Sequence, residues 1–479
     1  MNNAKHVIVV GGGLAGMSAA VALAGHGYRI TLVEKRSALG GRAGSHYDAA
    51  SGEWTDNCQH ILMPCCTNLL DFYRRVGCEN KIRFYPEIPF LEAGGKLSVL
   101  FSSPLPAPFH LLPSFMRLRF LNRRDKWRIA CGFFSLRRLR KEDRWKNAPF
   151  LDWLRARGQT RQAIDRFWRP IIASALNEDL ERAGGAHAAQ VFIEAFLANY
   201  RGWWLGIPTV PLSVLYGDNV SKTLAGCASE VMLRTEVQQL EMCAGRVREA
   251  VLRDGCRLKA EAFVLALPWH AAAGLLPPEA RQCADLPPFE KLEPSPITGI
   301  HLWFDRSITD LPFAALPGMR IQWLFNKSRT FENADRRESY LQLVTSASRA
   351  WSGLRAGAVL DMAITDLRQV LPLARDAVVL KARVIKETAA TFSPSPASDG
   401  QRPPATTAIP NLFLAGDWIQ TGWPSTMEGA VRGGYLAAAA VLSADGRNSG
   451  VLAPDLPPSG FMGIWNKAPA RRPAPTGQL

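Results

Sequence analysis

The sequence lacks the features that mark a disulfide scaffold, a metal centre or a membrane span. Its 9 cysteines, an odd number, form no CxxC pair and follow no metal-ligand spacing, so we expect reduced thiols and no metal ion. No apolar run approaches the roughly 20 residues that a spanning helix needs. The first strand pattern begins at Val7 and leaves no room for a signal peptide. These absences predict a cytoplasmic protein.

Acidic residues are outnumbered, since 57 Lys and Arg stand against 42 Asp and Glu, a net charge of +15. Residues 115–146 hold 12 basic and 3 acidic residues interleaved with large apolar side chains. That mixture is typical of a helix at a membrane interface, where anionic lipid attracts basic residues. With the Pro- and Leu-rich residues upstream, residues 104–146 are a candidate membrane-surface segment. A solvated basic face over a core-facing apolar stripe is the alternative, and no motif indicates a nucleic-acid partner.

A β-branched run, a glycine-rich turn and an apolar helix open the chain. Residues 7–10 read as a buried parallel strand, and three glycines follow with GxGxxG spacing. These glycines supply the tight turn, the close approach of the backbone to a pyrophosphate and the helix–strand packing. The helix that follows points its free N–H groups at the phosphates, and an acid about 20 residues on can accept from ribose hydroxyls. The cofactor-binding candidates here are Gly11, Gly13, Ala15, Gly16, Glu34 and Lys35.

The eight residues after Glu34 indicate which dinucleotide is bound. Residues 35–42 end in Gly40-Gly41-Arg42, and they resemble the second phosphate-binding element of the glutathione-reductase-type flavoproteins. In that group, the Gly-Gly-Arg brings backbone and guanidinium to FAD. Gly41 and Arg42 are therefore further FAD-binding candidates.

A second glycine-containing signature lies near the end of the chain. Residues 411–418 read as a buried strand that ends in Gly416-Asp417, which allows the carboxylate to reach a hydroxyl of the cofactor. The helix that begins near Met427 would aim its N–H dipoles at the N1–C2=O edge of a flavin and stabilise the reduced anion. No cysteine lies between residues 411 and 442, so we expect non-covalent FAD. Residues 231–240 resemble the discontinuous second piece of the same flavoprotein domain, and this resemblance implies, from the order of the elements, a backbone contact from Val237 to the adenine.

These motifs, in this order over nearly the whole chain, resemble the flavin amine oxidase and phytoene desaturase superfamily. More narrowly, residues 56–62, 301–305 and 322–327 look like the hydroxysqualene dehydroxylase family, the squalene-associated FAD-dependent desaturases of bacterial hopanoid synthesis. The resemblance implies an α/β protein, with a glutathione-reductase-type Rossmann FAD domain and a discontinuous, amine oxidase-like α+β substrate domain. The expected boundaries are 1–85, 217–285 and 405–445 for the FAD-binding domain, 86–216 and 286–404 for the substrate and membrane-facing domain, and 446–479 for a loose C-terminal tail.

The activity that this resemblance implies is reductive removal of the hydroxyl of hydroxysqualene, which gives squalene and water. The substrate would be a long-chain isoprenoid, and the protein would sit peripherally on the inner face of the bacterial cytoplasmic membrane. The electron donor, a free reduced nicotinamide or a partner reductase, stays open because no second dinucleotide fingerprint is present. The alternatives are a carotenoid or phytoene-type desaturase, a flavin amine oxidase and a non-catalytic isoprenoid carrier. Thr426 argues against the amine oxidase, which has an aromatic residue there.

Loss of hydroxide requires a positioned acid, because hydroxide is a poor leaving group. By the resemblance, residues 53–62 correspond to the segment that passes beside the isoalloxazine ring in flavin amine oxidases and phytoene desaturases, and here this segment carries polar side chains. We therefore predict His60 as the acid and Gln59 as the group that orients the hydroxyl. Asp56 is a weaker candidate for the acid.

Local patterns also predict several elements of the fold. We expect helices over residues 68–76, ending at Gly77, and over 357–371, and mainly helical structure from about 115 to 200. A hairpin is expected around residues 93–96, and strands over 299–305 and 339–344.

Overall fold

The computed structural model of the protein describes residues 4–48, 53–139, 142–281, 286–332, 339–447 and 450–465. Its strands are β1 (His6–Val10), β2 (Arg29–Val33), β3 (Ser45–Asp48), β4 (Glu53–Asp56), β5 (Ile82–Tyr85), β6 (Glu87–Glu92), β7 (Lys96–Phe101), β8 (Leu205–Pro208), β9 (Glu230–Met232), β10 (Val237–Cys243), β11 (Arg246–Leu252), β12 (Arg257–Lys259), β13 (Ala262–Leu265), β14 (Pro294–Phe304), β15 (Phe313–Ala315), β16 (Trp323–Asn326), β17 (Ser339–Ser346), β18 (Val379–Phe392) and β19 (Leu412–Leu414).

Its α-helices are α1 (Leu14–Gly25), α2 (Thr67–Arg75), α3 (Leu112–Arg117), α4 (Arg123–Leu139), α5 (Asp143–Lys146), α6 (Phe150–Ala156), α7 (Arg161–Ala163), α8 (Arg169–Leu176), α9 (Gly185–Val191), α10 (Leu212–Ala225), α11 (Trp269–Leu275), α12 (Pro278–Arg281), α13 (Lys327–Thr330), α14 (Ala356–Val370), α15 (Met427–Ala444) and α16 (Phe461–Trp465). Two further turns, Ile164–Trp168 and Phe192–Leu197, are π-helical. Among these described residues, no helix is both long enough and apolar enough to cross a bilayer.

A five-stranded parallel sheet carries the glycine-rich motif. Its order is β19-β13-β1-β2-β9, with Val9 opposite Val264 on one side and Leu32 on the other. Parallel strands need crossover connections, and helices then cover both faces, which explains the apolar run of β1. The five strands come from three separate parts of the chain, and all fall within the segments expected for the FAD-binding domain. Helix α10, which precedes β9, begins at Leu212, five residues before the expected start of the second FAD-domain segment at residue 217.

Helices α1 and α15 cross on this sheet with almost no space between them. A Cβ added to Gly434 of α15 would lie 2.1 Å from Ser18 Oγ and 2.2 Å from the carbonyl oxygen of Ala15. Only glycine permits this approach, which holds the N-termini of both helices on one side of the sheet. The cofactor motifs at the two ends of the chain are thereby brought together.

A seven-stranded sheet forms the second half, in the order β18-β14-β17-β16-β15-β6-β7. The long antiparallel pairing of β14 with β17 and β18 forms its centre. Helices α3 to α9 pack against it around an aromatic core, in which the Trp168 and Phe192 rings lie 4.8 Å apart. The expected helices, hairpin and strands are confirmed here to within a few residues, except that β14 starts five residues earlier than predicted.

The C-terminal segment corrects the expectation of a loose tail from residue 446. Val451 is buried, and Ala453 exchanges hydrogen bonds with Asn68, N–H to Oδ1 at 2.9 Å and Nδ2 to carbonyl at 3.3 Å. Further along, the Ser459 N–H donates to the Ala198 carbonyl. The Gly, Pro and Ser content and the lack of periodicity predicted a loose tail, but these long-range contacts hold the segment on the surface as far as α16. Residues 448–449 and 466–479 of the predicted tail lie outside the described residues.

Candidate functional site

One continuous cavity of about 1820 Å³ runs between the two sheets. Pockets that hold one drug-sized ligand are roughly 300–1,000 Å³, so this cavity has room for a dinucleotide and a second large ligand. Its lining changes from glycine-rich turns and charged residues at one end to aromatic and aliphatic side chains at the other. Members of the apolar half include Phe90, Phe115, Phe133, Phe167, Ile171, Phe196, Leu205, Ile297, Trp323 and Phe325.

The three fingerprint glycines differ in what surrounds them, as a nucleotide-binding turn requires. Gly11 has φ +108°, and a Cβ there would lie 2.5 Å from the Ala266 carbonyl oxygen. A Cβ on Gly16 would lie 1.8 Å from the Gly11 carbonyl oxygen, so Gly16 sets the close packing of α1 on the turn. A Cβ added to Gly13, which lines the cavity, would meet no atom within 4 Å. Its bare backbone therefore faces the space in which a phosphate group would lie.

The N-terminus of α1 opens onto the cavity without a side-chain cap. Gly13 is its N-cap residue, no acidic residue lies in the first turn, and Leu14 and Ala15 line the cavity. The first N–H groups of a helix lack intrahelical partners and carry partial positive charge. This end of α1 thus suits a diphosphate.

Glu34 lies at the nucleotide end with the residues expected around the adenosine. Its carboxylate accepts from the Gly12 N–H at 2.7 Å and from the Arg36 N–H at 2.8 Å. Lys35 and Val237 line the same end of the cavity. The structure therefore brings Val237 together with Glu34 and Lys35, from which it is about 200 residues distant in the sequence.

The Gly-Gly-Arg element closes over the fingerprint turn. The Gly40 N–H donates to the Gly12 carbonyl at 2.8 Å, and Gly41 has φ +59°. The Arg42 guanidinium pairs with the Asp417 carboxylate, which also accepts from the Ser425 hydroxyl. Both side chains line the cavity, but they neutralise each other, a pairing that was not anticipated.

Helix α15 presents its N-terminus to the middle of the cavity. The Thr426 hydroxyl caps it by accepting from the Gly429 N–H at 3.0 Å. Gly416, Asp417, Thr426 and Met427 all line the cavity. A flavin edge that becomes negative on reduction would be stabilised by this 18-residue helix.

The predicted catalytic residues Gln59 and His60 lie on the cavity wall, where the cofactor half meets the apolar half. His60 Nδ1 lies 3.0 Å from the Cys58 carbonyl. A carbonyl only accepts, so Nδ1 carries the ring proton and Nε2 is left as an acceptor. Burial lowers the pKa of His60, which keeps the ring neutral near pH 7. A neutral imidazole in this tautomer is poorly suited to donate a proton from Nε2.

Two amide oxygens beside His60 indicate a bound group. Asn57 Oδ1 and Gln59 Oε1 are buried, and among the described residues neither has a hydrogen-bond partner. Both side chains line the cavity, while the Asn57 amide N–H₂ donates to the Arg42 carbonyl. Orphaned buried acceptors are costly unless a ligand donates to them. Together with the open Gly13 and the two helix N-termini, they show that these residues fit a flavin dinucleotide.

The expectation that Asp56 could act as the acid is wrong, because its carboxylate is turned away from the cavity. It accepts from Lys327 Nζ at 2.9 Å, the Ser45 hydroxyl at 2.8 Å and the Leu212 N–H at 3.0 Å. Burial by itself would raise the pKa of Asp56, but the Lys327 charge and these hydrogen bonds outweigh it and hold the pKa below its usual value. An anion held in this way anchors the start of the Asn57–His60 segment and donates no proton.

Two residues important to the site were missed in the sequence. Lys327, whose side chain is 1% exposed, lies in residues 322–327, which carry the family resemblance but show no local sign of a buried ion pair. Glu194 lies on the π-helical turn Phe192–Leu197 and lines the cavity among aromatic side chains. The available signal was a single carboxylate inside an otherwise apolar helical run. π-Helical turns are frequent at functional sites because they redirect a side chain.

Comparisons with known proteins agree with this geometry. The model of the flavin containing amine oxidoreductase family matches residues 14–442. The hydroxysqualene dehydroxylase of Zymomonas mobilis is 26% identical over 447 residues, which cover 91% of this chain and 98% of the relative. A 15-cis-phytoene desaturase of Narcissus pseudonarcissus is 25% identical over 457 residues, covering 91% and 79%.

Among solved structures, an oxidoreductase from Methanosarcina mazei superposes with a TM-score of 0.69 at 16% identity, covering 91% of this chain and all of that one. This likeness shows the fold alone, and together with the five-stranded parallel sheet it confirms the expected α/β class. The family match establishes FAD as the cofactor and oxidoreduction as the class of chemistry. The chain belongs to the flavin-containing amine oxidoreductase family.

Proposed function

We propose that this FAD-dependent oxidoreductase removes the hydroxyl group of hydroxysqualene reductively and produces squalene and water. The observation that carries the proposal is the single cavity in which a flavin-binding half opens into a long apolar half with few polar groups. A small amine would leave most of that apolar surface without contact. A long isoprenoid fills it and buries its own apolar surface.

The relatives support an isoprenoid substrate. The phytoene desaturase and hydroxysqualene dehydroxylase names refer to isoprenoids, and both relatives align with 91% of this chain. The Zymomonas mobilis relative is also matched over nearly its full length. The motifs of the chain also resemble those of flavin amine oxidases, but Thr426 stands where those enzymes have an aromatic residue of the amine-binding cage.

The reaction adds a hydride to an allylic carbon and a proton to the departing hydroxyl, so that C–OH becomes C–H and water leaves. Reduced FAD, when bound, supplies the hydride. The apolar wall excludes bulk water. Gln59 Oε1, which has no hydrogen-bond partner in the described part of the chain, can accept from the substrate hydroxyl and orient it. His60 is a weak candidate for the proton source because its ring proton is hydrogen-bonded to the Cys58 carbonyl. Glu194 is therefore our first choice, since it is an acidic residue that lines the same cavity.

A phytoene-type desaturase is the second candidate, favoured by the phytoene desaturase relatives. The dehydroxylase would oxidise reduced flavin and the desaturase would reduce oxidised flavin, so one experiment distinguishes the two reactions. The holoenzyme is photoreduced without oxygen, hydroxysqualene is added, and the flavin absorbance is followed together with product analysis. The proposal expects reoxidation with squalene formed.

Two controls complete this experiment. Oxidised enzyme mixed with phytoene or squalene should keep its flavin absorbance. Bleaching by either polyene would establish the desaturase instead, and bleaching by putrescine would establish an amine oxidase. A flavin that stays unchanged with every ligand, while the protein still binds isoprenoids, would favour a non-catalytic carrier.

A further inference from the structure

Six large apolar side chains stand exposed around the opening of the cavity. Five of them both line the cavity and face solvent, and the sixth packs on one of these, with the Phe109 and Phe461 rings 6.3 Å apart. Trp127 and Phe134 are 69% and 74% exposed. We call this set the mouth ring; it comprises Phe109, Leu112, Met116, Trp127, Phe134 and Phe461. Apolar surface clustered at a cavity opening marks an interaction site.

Helix α4 is apolar on two opposite faces. Its inner stripe of Ile129, Leu136 and Leu139 is buried in the aromatic core. Trp127 and Phe134, seven residues apart, share the outer face, because seven residues span nearly two full turns. A helix that faced only water would be polar there.

Arginines lie at both ends of this outer stripe. Arg123 is four residues before Trp127, and Arg138 is four residues after Phe134, and both are exposed. An apolar stripe flanked by basic residues is the pattern of a helix in the plane of a membrane interface. Long arginine side chains can keep their charge among lipid phosphates while aromatic rings enter the acyl region.

The mouth ring excludes some residues of the candidate membrane segment 104–146 and includes one residue from outside it. Phe115, Leu118, Phe120 and Leu121 of that segment are buried, so they cannot touch a bilayer. Arg140 and Lys141 lie outside the described residues. The C-terminal segment contributes Phe461, whose N–H donates to the Ala107 carbonyl at 3.1 Å. The surface is thus assembled from three parts of the chain.

We propose that the mouth ring inserts into the interface of an anionic lipid bilayer, so that the cavity opens directly into the acyl region. A long apolar substrate then moves between bilayer and cavity without crossing water. A second copy of the chain fits this surface less well, because a twofold contact would bring Arg123 and Arg138 near their own counterparts. The nature of the transferred lipid rests on the proposed function, but the membrane contact itself does not.

The test is sedimentation of the holoenzyme with vesicles of phosphatidylcholine alone or mixed with phosphatidylglycerol, without substrate. We expect binding to the anionic vesicles that weakens with added salt. The double variant Trp127→Ser/Phe134→Ser should bind at least tenfold more weakly. Leu373→Ser/Leu380→Ser is the matched control, since those leucines are 63% and 57% exposed but lie away from the cavity. This control should bind like the wild type.

The proposal is overturned if wild-type protein stays in solution with anionic vesicles, or if both double variants bind equally. It is also overturned if light scattering shows a dimer that the mouth-ring variant dissociates, because the surface would then join two copies. Flavin content and thermal unfolding of each variant exclude misfolding as the cause of lost binding. The vesicle assay measures no turnover, so the two proposals can fail separately. Absence of dehydroxylation would not change the vesicle result, and absence of vesicle binding would not show that the reaction fails.

Discussion

Replacing Lys327 with methionine should destabilise the protein strongly, because it leaves the Asp56 carboxylate buried without its charge partner. The two side chains are 1% and 2% exposed, and Nζ lies 2.9 Å from the carboxylate. Breaking one side of a buried pair typically costs about 3–5 kcal/mol, most of it from the uncompensated charge. Asp56→Asn should cost a similar amount, because Lys327 would then be the unpaired ion.

The double variant Asp56→Asn/Lys327→Met distinguishes the energy of the ion pair from the other effects of each single substitution. It removes both charges, so its loss of unfolding free energy should fall well below the sum of the two single losses. The assay is denaturant unfolding of each holoenzyme at saturating FAD. Losses below about 1 kcal/mol for Lys327→Met, or strictly additive losses, would refute the reasoning, since a buried pair must show coupling.

The pH dependence of the same variants has a definite sign. The pKa of Asp56 is lower in the folded protein than its ordinary value of 3.8. A carboxylate with a depressed folded pKa contributes stability above its unfolded pKa and loses that contribution as pH falls through the folded value. The difference between wild type and Asp56→Asn should therefore be constant near neutral pH and shrink only below about pH 4.

Three further predictions concern the cavity. Gly13→Ala should fold normally but bind FAD about 10–100-fold more weakly, since its Cβ enters open space beside the cofactor. Gly16→Ala should instead lose stability even without FAD, because its Cβ would meet the Gly11 carbonyl oxygen. Equal behaviour of the two variants in FAD titration and in unfolding of the apoprotein would contradict these roles. Glu194→Gln should slow reoxidation of reduced flavin by hydroxysqualene on the order of 100-fold, and an unchanged rate would remove Glu194 as the proton source. His60→Gln should slow the same step by only about tenfold, as expected for a hydrogen-bonding group, and a loss larger than that of Glu194→Gln would restore His60 as the acid.

The nucleotide half could be predicted from the sequence because its signals are local. The positive φ of Gly11 and Gly41 and the contact of Gly16 with Gly11 follow directly from the chain near them, and the helix start at Met427 has its own cap. The parallel strand β1 was evident from its apolar run, since such strands are buried on both faces. These features need no knowledge of the distant chain.

Contacts between distant segments could not be predicted in this way. The Asp56–Lys327 pair joins residues 271 apart, and neither residue has a neighbour pattern that names the other. Asp56 therefore looked available for catalysis although its carboxylate is held by Lys327. The C-terminal segment looked loose because it is rich in Gly, Pro and Ser and has no periodicity, and neither feature reveals hydrogen bonds such as that from Ser459 to Ala198.

The most direct test of the central claim is a single anaerobic turnover in D₂O with photoreduced holoenzyme and unlabelled hydroxysqualene. Hydrogen on the nitrogen of reduced flavin exchanges with solvent, so the transferred hydride carries deuterium. The account predicts one squalene per reduced flavin, each with one deuterium, and full return of the oxidised-flavin absorbance. Recovery of unchanged hydroxysqualene with the flavin still reduced, or squalene without deuterium, would contradict reductive dehydroxylation by this site.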